Sequence, residues 1–161
     1  IICISSVNKG EGKKYVTTGL ASAFASLGKK TLMITIDDRA VHAEDLQRER
    51  TYPSFVLEGR DISKTWQQLT KTWAAQYDIT IIKNLSISES SLSLLPMVYA
   101  SANYIVLDSR ITAIKDIAIA DDVIEKLKLT SVKFILNRDG FSPSLLSNIK
   151  YLFNLIARVG R

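Results

Sequence analysis

Ile1-Ile2-Cys3-Ile4-Ser5-Ser6-Val7-Asn8-Lys9-Gly10-Glu11-Gly12-Lys13-Lys14 carries the reading of the fold. Its opening, Ile1–Ser5, is a nearly continuous β-branched run of the kind that forms a strand covered on both faces. A polar turn with two glycines follows. Behind it, Tyr15–Leu27 has helical spacing: Leu20, Ala21, Phe24 and Leu27 share a face and Gly28 supplies the stop. A glycine-rich turn between a strand and a helix lets backbone N–H groups converge, and the helix N-terminus adds partial positive charge. Together they make a seat for phosphate. Lys13 is spaced to reach the outer phosphates. The plainer reading is a turn with solvated lysines.

Outward from this unit the same alternation continues. Thr31–Ile36, Ile79–Ile82, Tyr104–Leu107 and Val132–Leu136 read as strands. Ile62–Gln76, Ser90–Ala100, Ile114–Leu127 and Pro143–Ala157 read as helices, the last opened by a Ser142 cap and a first-turn proline. Trp66 and Trp73, seven apart, are expected to share a packing face. Arg39–Arg50 reads as a solvated loop or short helix, and serine-rich Ser86–Ser93 as a loop entering a helix. Strands alternating with helices form right-handed βαβ units. The expected fold is therefore α/β, with helices on both faces of a central, mostly parallel sheet.

Composition sets the outer limits. A chain of 161 residues, 47% hydrophobic, suits one domain with a real core and excludes a disordered chain. One cysteine, Cys3, and one histidine, His42, exclude a disulfide scaffold, a zinc ribbon and a multi-histidine metal centre. Cys3, inside the first strand, reads as an inert core residue. No apolar stretch reaches the roughly 18 residues that span a bilayer. The net charge of +5 is spread along the chain, so nucleic acid is not an expected partner. A start inside a strand suggests a piece of a longer protein, with any membrane anchor in the flanking segments.

The strict phosphate-loop pattern ends in Gly-Lys-Ser/Thr, its hydroxyl holding Mg²⁺. This chain keeps Gly12-Lys13 but has Lys14 at the hydroxyl position and Val7 where the first glycine would stand. A dinucleotide-binding loop fits less well, because Tyr15 stands where its third glycine belongs. Gly10-Glu11-Gly12-Lys13, Leu27-Gly28-Lys29-Lys30 and Leu32–Arg39 together resemble the bacterial tyrosine kinases. These are the cytoplasmic P-loop domains of polysaccharide co-polymerases and relatives of the ParA/MinD ATPases. Further likenesses follow in order. Ser54–Gly59 is similar to a short helix ending in Leu-x-Gly, Tyr77–Ile82 to Tyr-Asp and the Walker B strand, Ala100–Leu107 to the next strand, and Leu136-Asn137-Arg138 to a strand-terminal Leu-Asn-Arg near the adenine.

The resemblance implies one kinase-like P-loop domain over residues 1–161. Gly10, Glu11, Gly12, Lys13, Lys14 and Asn137 would then be the residues around bound ATP or ADP, and Asp37 the catalytic acid. It also implies self-association, contact with other exopolysaccharide machinery, and a place at the cytoplasmic face of the bacterial inner membrane. The departures fall on the metal. Lys14 replaces the magnesium-binding hydroxyl, Thr35 the first acid of an Asp-x-Asp pair whose second is Asp37, and Lys83 the acid closing the Walker B strand. An ammonium near a divalent ion in a partly buried site costs on the order of several kcal/mol, so the chain is poorly equipped for Mg²⁺. No metal ligand set is assigned, although a lysine could itself neutralise phosphate.

Phosphoryl transfer depends on metal neutralisation of developing charge. The expectation is thus a degenerate, non-catalytic member that regulates or assembles an exopolysaccharide machine. Only Tyr151 stands near the end of the chain, where the kinases carry a tyrosine cluster, and Gly59–Tyr77 leaves room for one helix alone. Two alternatives stay open. One is an active ATP-dependent tyrosine autokinase working through Gly10, Gly12, Lys13 and Asp37. The other is a MinD/ParA-like ATPase that binds membrane or DNA, its basic amphipathic element in Ile149–Arg161. That group's signature lysine would fall at Asn8, with Lys9 beside it.

Overall fold

The computed structural model describes residues 1–37 and 53–138, apart from the side chains of 37, 54–65, 67 and 69. The expectations for 39–50, 143–157 and 149–161, and for His42 and Tyr151, lie outside the described residues. The described residues form six strands: β1 (Ile2–Ser6), β2 (Thr31–Asp37), β3 (Ser54–Glu58), β4 (Ile79–Ser86), β5 (Ala102–Asp108) and β6 (Val132–Asn137). They pair in the order β3-β2-β4-β1-β5-β6, and every ladder is parallel. Among the described residues four α-helices lie between them: α1 (Lys13–Ser26), α2 (Gly59–Gln76), α3 (Leu94–Tyr99) and α4 (Ile114–Lys126).

Both faces of β1, β2, β4 and β5 are covered, which is why these strands read as unbroken apolar runs, whereas Phe134 and Leu136 of β6 are 45% and 56% exposed. On one face Ile4, Met33, Ile81 and Val106 pack with Ala21, Leu20 and Phe24 of α1. On the other, Leu32, Ile34, Ile36 and Ile82 meet Trp66 and Trp73 of α2. Farther along that face, Cys3, Val7 and Ile105 meet Met97 of α3 and Ala120 of α4. The result is the expected three-layer α/β/α arrangement around β1 and β4. Trp66 and Trp73 do share a packing face, their rings edge to face at 5.7 Å. Cys3 is fully buried, and burial pushes its thiol up to about 12, so it stays a protonated core residue. Among the described residues no helix is long and apolar enough to cross a membrane.

Three sequence expectations change. Ser54–Glu58 is a strand rather than a short helix, pairing from Met33↔Ser54 to Asp37↔Glu58. The outer edge of β2 carries backbone donors and acceptors that a parallel strand satisfies and a helix would not. The helix expected over Ser90–Ala100 splits into a 3₁₀ turn, Ser91–Ser93, and α3. Pro96 lacks an N–H and its ring crowds the carbonyl four residues back, so the α-helix cannot run through Leu92. Leu27 is 74% exposed rather than packed. It closes α1 in a Schellman turn: Lys29 N–H donates to the Phe24 carbonyl, Gly28 N–H to that of Ala25, and Gly28 takes φ +75°.

Candidate phosphate-binding site

In an open parallel sheet, ligands bind beyond the carboxyl ends of the strands. The loop from Val7 to Gly12 leaves β1 at that end. Gly10 and Gly12 turn it with φ of +86° and +100°, the left-handed region that suits glycine. Gly12 opens α1, which carries no side-chain cap and no acid in its first turn, so its positive end is not neutralised locally.

Lys13, the first residue of α1, reaches back over the loop. Its Nζ donates to Ser6 Oγ at 2.5 Å and to Ser86 Oγ at 2.7 Å, at the ends of β1 and β4. These are neutral acceptors, so the ammonium is oriented without an ion-pair partner of its own at those two contacts. Burial pulls it down to about 8, and the charges of Lys83 and Lys9 add to the fall while Glu89 and Glu11 oppose it. The cleft beneath holds about 390 Å³ and is lined by Lys9, Gly10, Gly12, Lys13, Lys14 and Lys83, with Asn84, Ser86 and Glu89. The expected residues Gly10, Gly12, Lys13 and Lys14 thus come together, and Lys83 joins them from β4.

Glu11 and Asn137 stand behind the loop instead. The Glu11 carboxylate is fully buried and accepts the Asn8 N–H at 2.8 Å and the Thr112 hydroxyl at 2.6 Å. Asn137 Nδ2 donates to the Glu11 carbonyl at 3.1 Å. Neither lines the cleft. Both brace the loop against the ends of β5 and β6, so Glu11 shapes the site by holding the backbone. Asp37 ends β2 at the same edge of the sheet, and its side chain lies outside the described residues.

A second buried acid anchors this brace. Asp108, at the end of β5, is fully buried and pairs with Arg138 at 2.5 Å and Arg110 at 3.3 Å. Its backbone N–H donates to the same Thr112 hydroxyl that holds Glu11. Sequence reading missed Asp108, Thr112, Ser6 and Ser86. Only Ser6, at the end of the first strand, carried a local signal.

Lys13 gives a pH prediction. Its ammonium titrates near 8 when folded and at about 10.5 when unfolded. Between those values the unfolded chain binds more protons at this group, so its contribution to stability rises with pH across that window. Denaturant unfolding of wild type and Lys13→Met at pH 8 and pH 10 measures it. The wild type should gain on the variant as pH rises, and a constant difference would contradict the burial argument.

A parallel sheet whose central strand runs through a Gly-x-Gly-Lys turn into a helix is the fold of P-loop nucleoside triphosphatases. Within that class, the chain is similar to the kinase domain of Escherichia coli tyrosine kinase ETK, with TM-score 0.73 and 15% identity over 89% of this chain and 70% of that one. The VpsO kinase domain gives TM-score 0.67 and 20% identity over 85% and 83%. The septum site-determining protein MinD from Pyrococcus horikoshii, complexed with Mg-ADP, gives 0.62 and 19% over 92% and 75%. The structural neighbours thus include bacterial tyrosine kinase domains and MinD, both of which the sequence resembles. No protein-family model and no curated protein matches the chain.

Proposed function

We propose that this chain is a degenerate kinase-like domain that works by interaction, regulating or assembling an exopolysaccharide synthesis and export machine. One observation carries the reading: Lys14 and Lys83 line the phosphate-loop cleft at the positions where the resemblance calls for a hydroxyl and a carboxylate. A reaction that relies on a metal to neutralise developing charge is poorly served there. ATP or ADP would be a structural ligand held by Gly10, Gly12 and Lys13. Residues 1–161 would act as one self-associating domain at the cytoplasmic face of the inner membrane.

Incubation of the purified protein with ATP and Mg²⁺ tests this. The expected result is no phosphotyrosine and no hydrolysis above background. Turnover that disappears in Lys13→Ala would overturn it in favour of an active autokinase or ATPase. A MinD-like ATPase shares the fold, but the basic stretch that favoured it, 149–161, lies outside the described residues.

A further inference from the structure

The fold class brings Mg²⁺ to the phosphates, and the described lining of the cleft does not fit that ion. Among its described lining residues the only carboxylate is Glu89, against Lys9, Lys13, Lys14 and Lys83. The other side-chain oxygens described on the lining each already accept a hydrogen bond. Ser86 Oγ accepts from Lys13, and Asn84 Oδ1 accepts the Leu85 N–H. Asn84 Nδ2 faces away, donating to Ser5 and to the Ser93 carbonyl. A charged ammonium has no lone pair to offer a metal. Among the described residues no group of three or more His, Cys, Asp or Glu is placed to hold one.

The same wall suits a polyanion. Ser6 and Ser86 hold Lys13 in place, the left-handed glycines shape a concave loop, and the start of α1 is uncapped. We infer that this cleft seats the adjoining phosphates of a di- or triphosphate without a divalent cation, Lys14 and Lys83 supplying the charge that a metal would otherwise bring. This rests on the degenerate phosphate loop argued above. Lys13 takes one phosphate from the β1 side, while Lys83 on β4 and Lys14 in the first turn of α1 flank the next. A metal chelated to the same oxygens would have to enter among like charges, so Mg²⁺ competes with the site for the ligand.

Calorimetry on the full chain at constant ionic strength tests this, with pyrophosphate, ADP and ATP as probes in EDTA and again in excess Mg²⁺. Binding in EDTA that weakens or holds steady when Mg²⁺ is added is the expected result. ADP tighter than pyrophosphate would identify a nucleotide as the ligand, and equal affinities an inorganic diphosphate; both support the inference. The double variant Lys14→Thr/Lys83→Asp should lose roughly tenfold of the metal-free affinity, as expected for losing charged hydrogen bonds to phosphate, and should become Mg²⁺-dependent. Circular dichroism would confirm that it folds. Binding by the wild type only with Mg²⁺ overturns the inference, and the non-catalytic reading also falls if ATP is then turned over. No binding under either condition overturns the inference and leaves a pure interaction domain standing.

Discussion

Gly12→Ala should destabilise the domain by about 2–4 kcal/mol, from left-handed backbone strain plus a displaced hydrogen bond. The first cause is local: Gly12 holds φ +100°, where a Cβ crowds its own backbone. The second is a close approach. A Cβ at Gly12 would lie 2.1 Å from Asn137 Nδ2 and 3.1 Å from Asn137 Cγ. Asn137 would have to leave the Glu11 carbonyl, loosening the brace on the loop. Urea unfolding measures the cost, and Gly12→Ala/Asn137→Ala separates the two causes. The double variant relieves the contact and keeps the backbone strain, so the coupling energy should be well away from zero. Additive losses would mean that Asn137 moves aside freely.

Trp66→Ala should cost about 3–5 kcal/mol, the range for emptying a large aromatic site in a packed core. Trp66 is 3% exposed among Leu32, Ile34, Ile36, Ile82 and Leu85, and its ring meets Trp73 edge to face at 83°. The pair alone contributes about 0.5–1.5 kcal/mol beyond area burial. Trp66 Nε1 is buried and has no hydrogen-bond partner among the described residues. Trp66→Phe therefore gives up volume but no hydrogen bond, and should retain most of the stability. Gln68→Ala, on the exposed side of α2, should stay within about 0.5 kcal/mol of wild type. Thermal unfolding of the three variants checks the order. A small loss in Trp66→Ala would mean that α2 is not held to the sheet through this residue.

Much of the architecture was legible because its signals are local. The alternation of β-branched runs with helical periods placed β1, β2, β4, β5 and β6, and Gly28 marked the end of α1. Gly10 and Gly12 marked the tight turn between β1 and α1 because glycine takes the left-handed backbone that this turn needs. The edge strand β3 was hidden: five residues bounded by Gly59 carry too little periodicity to distinguish strand from helix, and only the open edge of β2 decides it. Pro96 likewise shifted a helix start that the apolar pattern alone placed earlier.

The sheet order decided the rest. It sets the ends of β4, β1, β5 and β6 side by side. That neighbourhood brings Ser86 to Lys13 across 73 residues, Thr112 to Glu11 across 101 and Arg138 to Asp108 across 30. Linear spacing cannot report such meetings, since each requires two strand ends to arrive at one place. Glu11 shows the difference most clearly. In the linear chain it is one more polar residue of a phosphate loop, but in the fold its carboxylate is wholly buried, so it must find donors inside the protein, and Asn8 and Thr112 supply them. Loop, lysine and helix follow from residue order because their geometry is set within a few bonds. The cationic cleft and its brace follow only from tertiary packing, because charge and burial depend on which distant groups share the same volume.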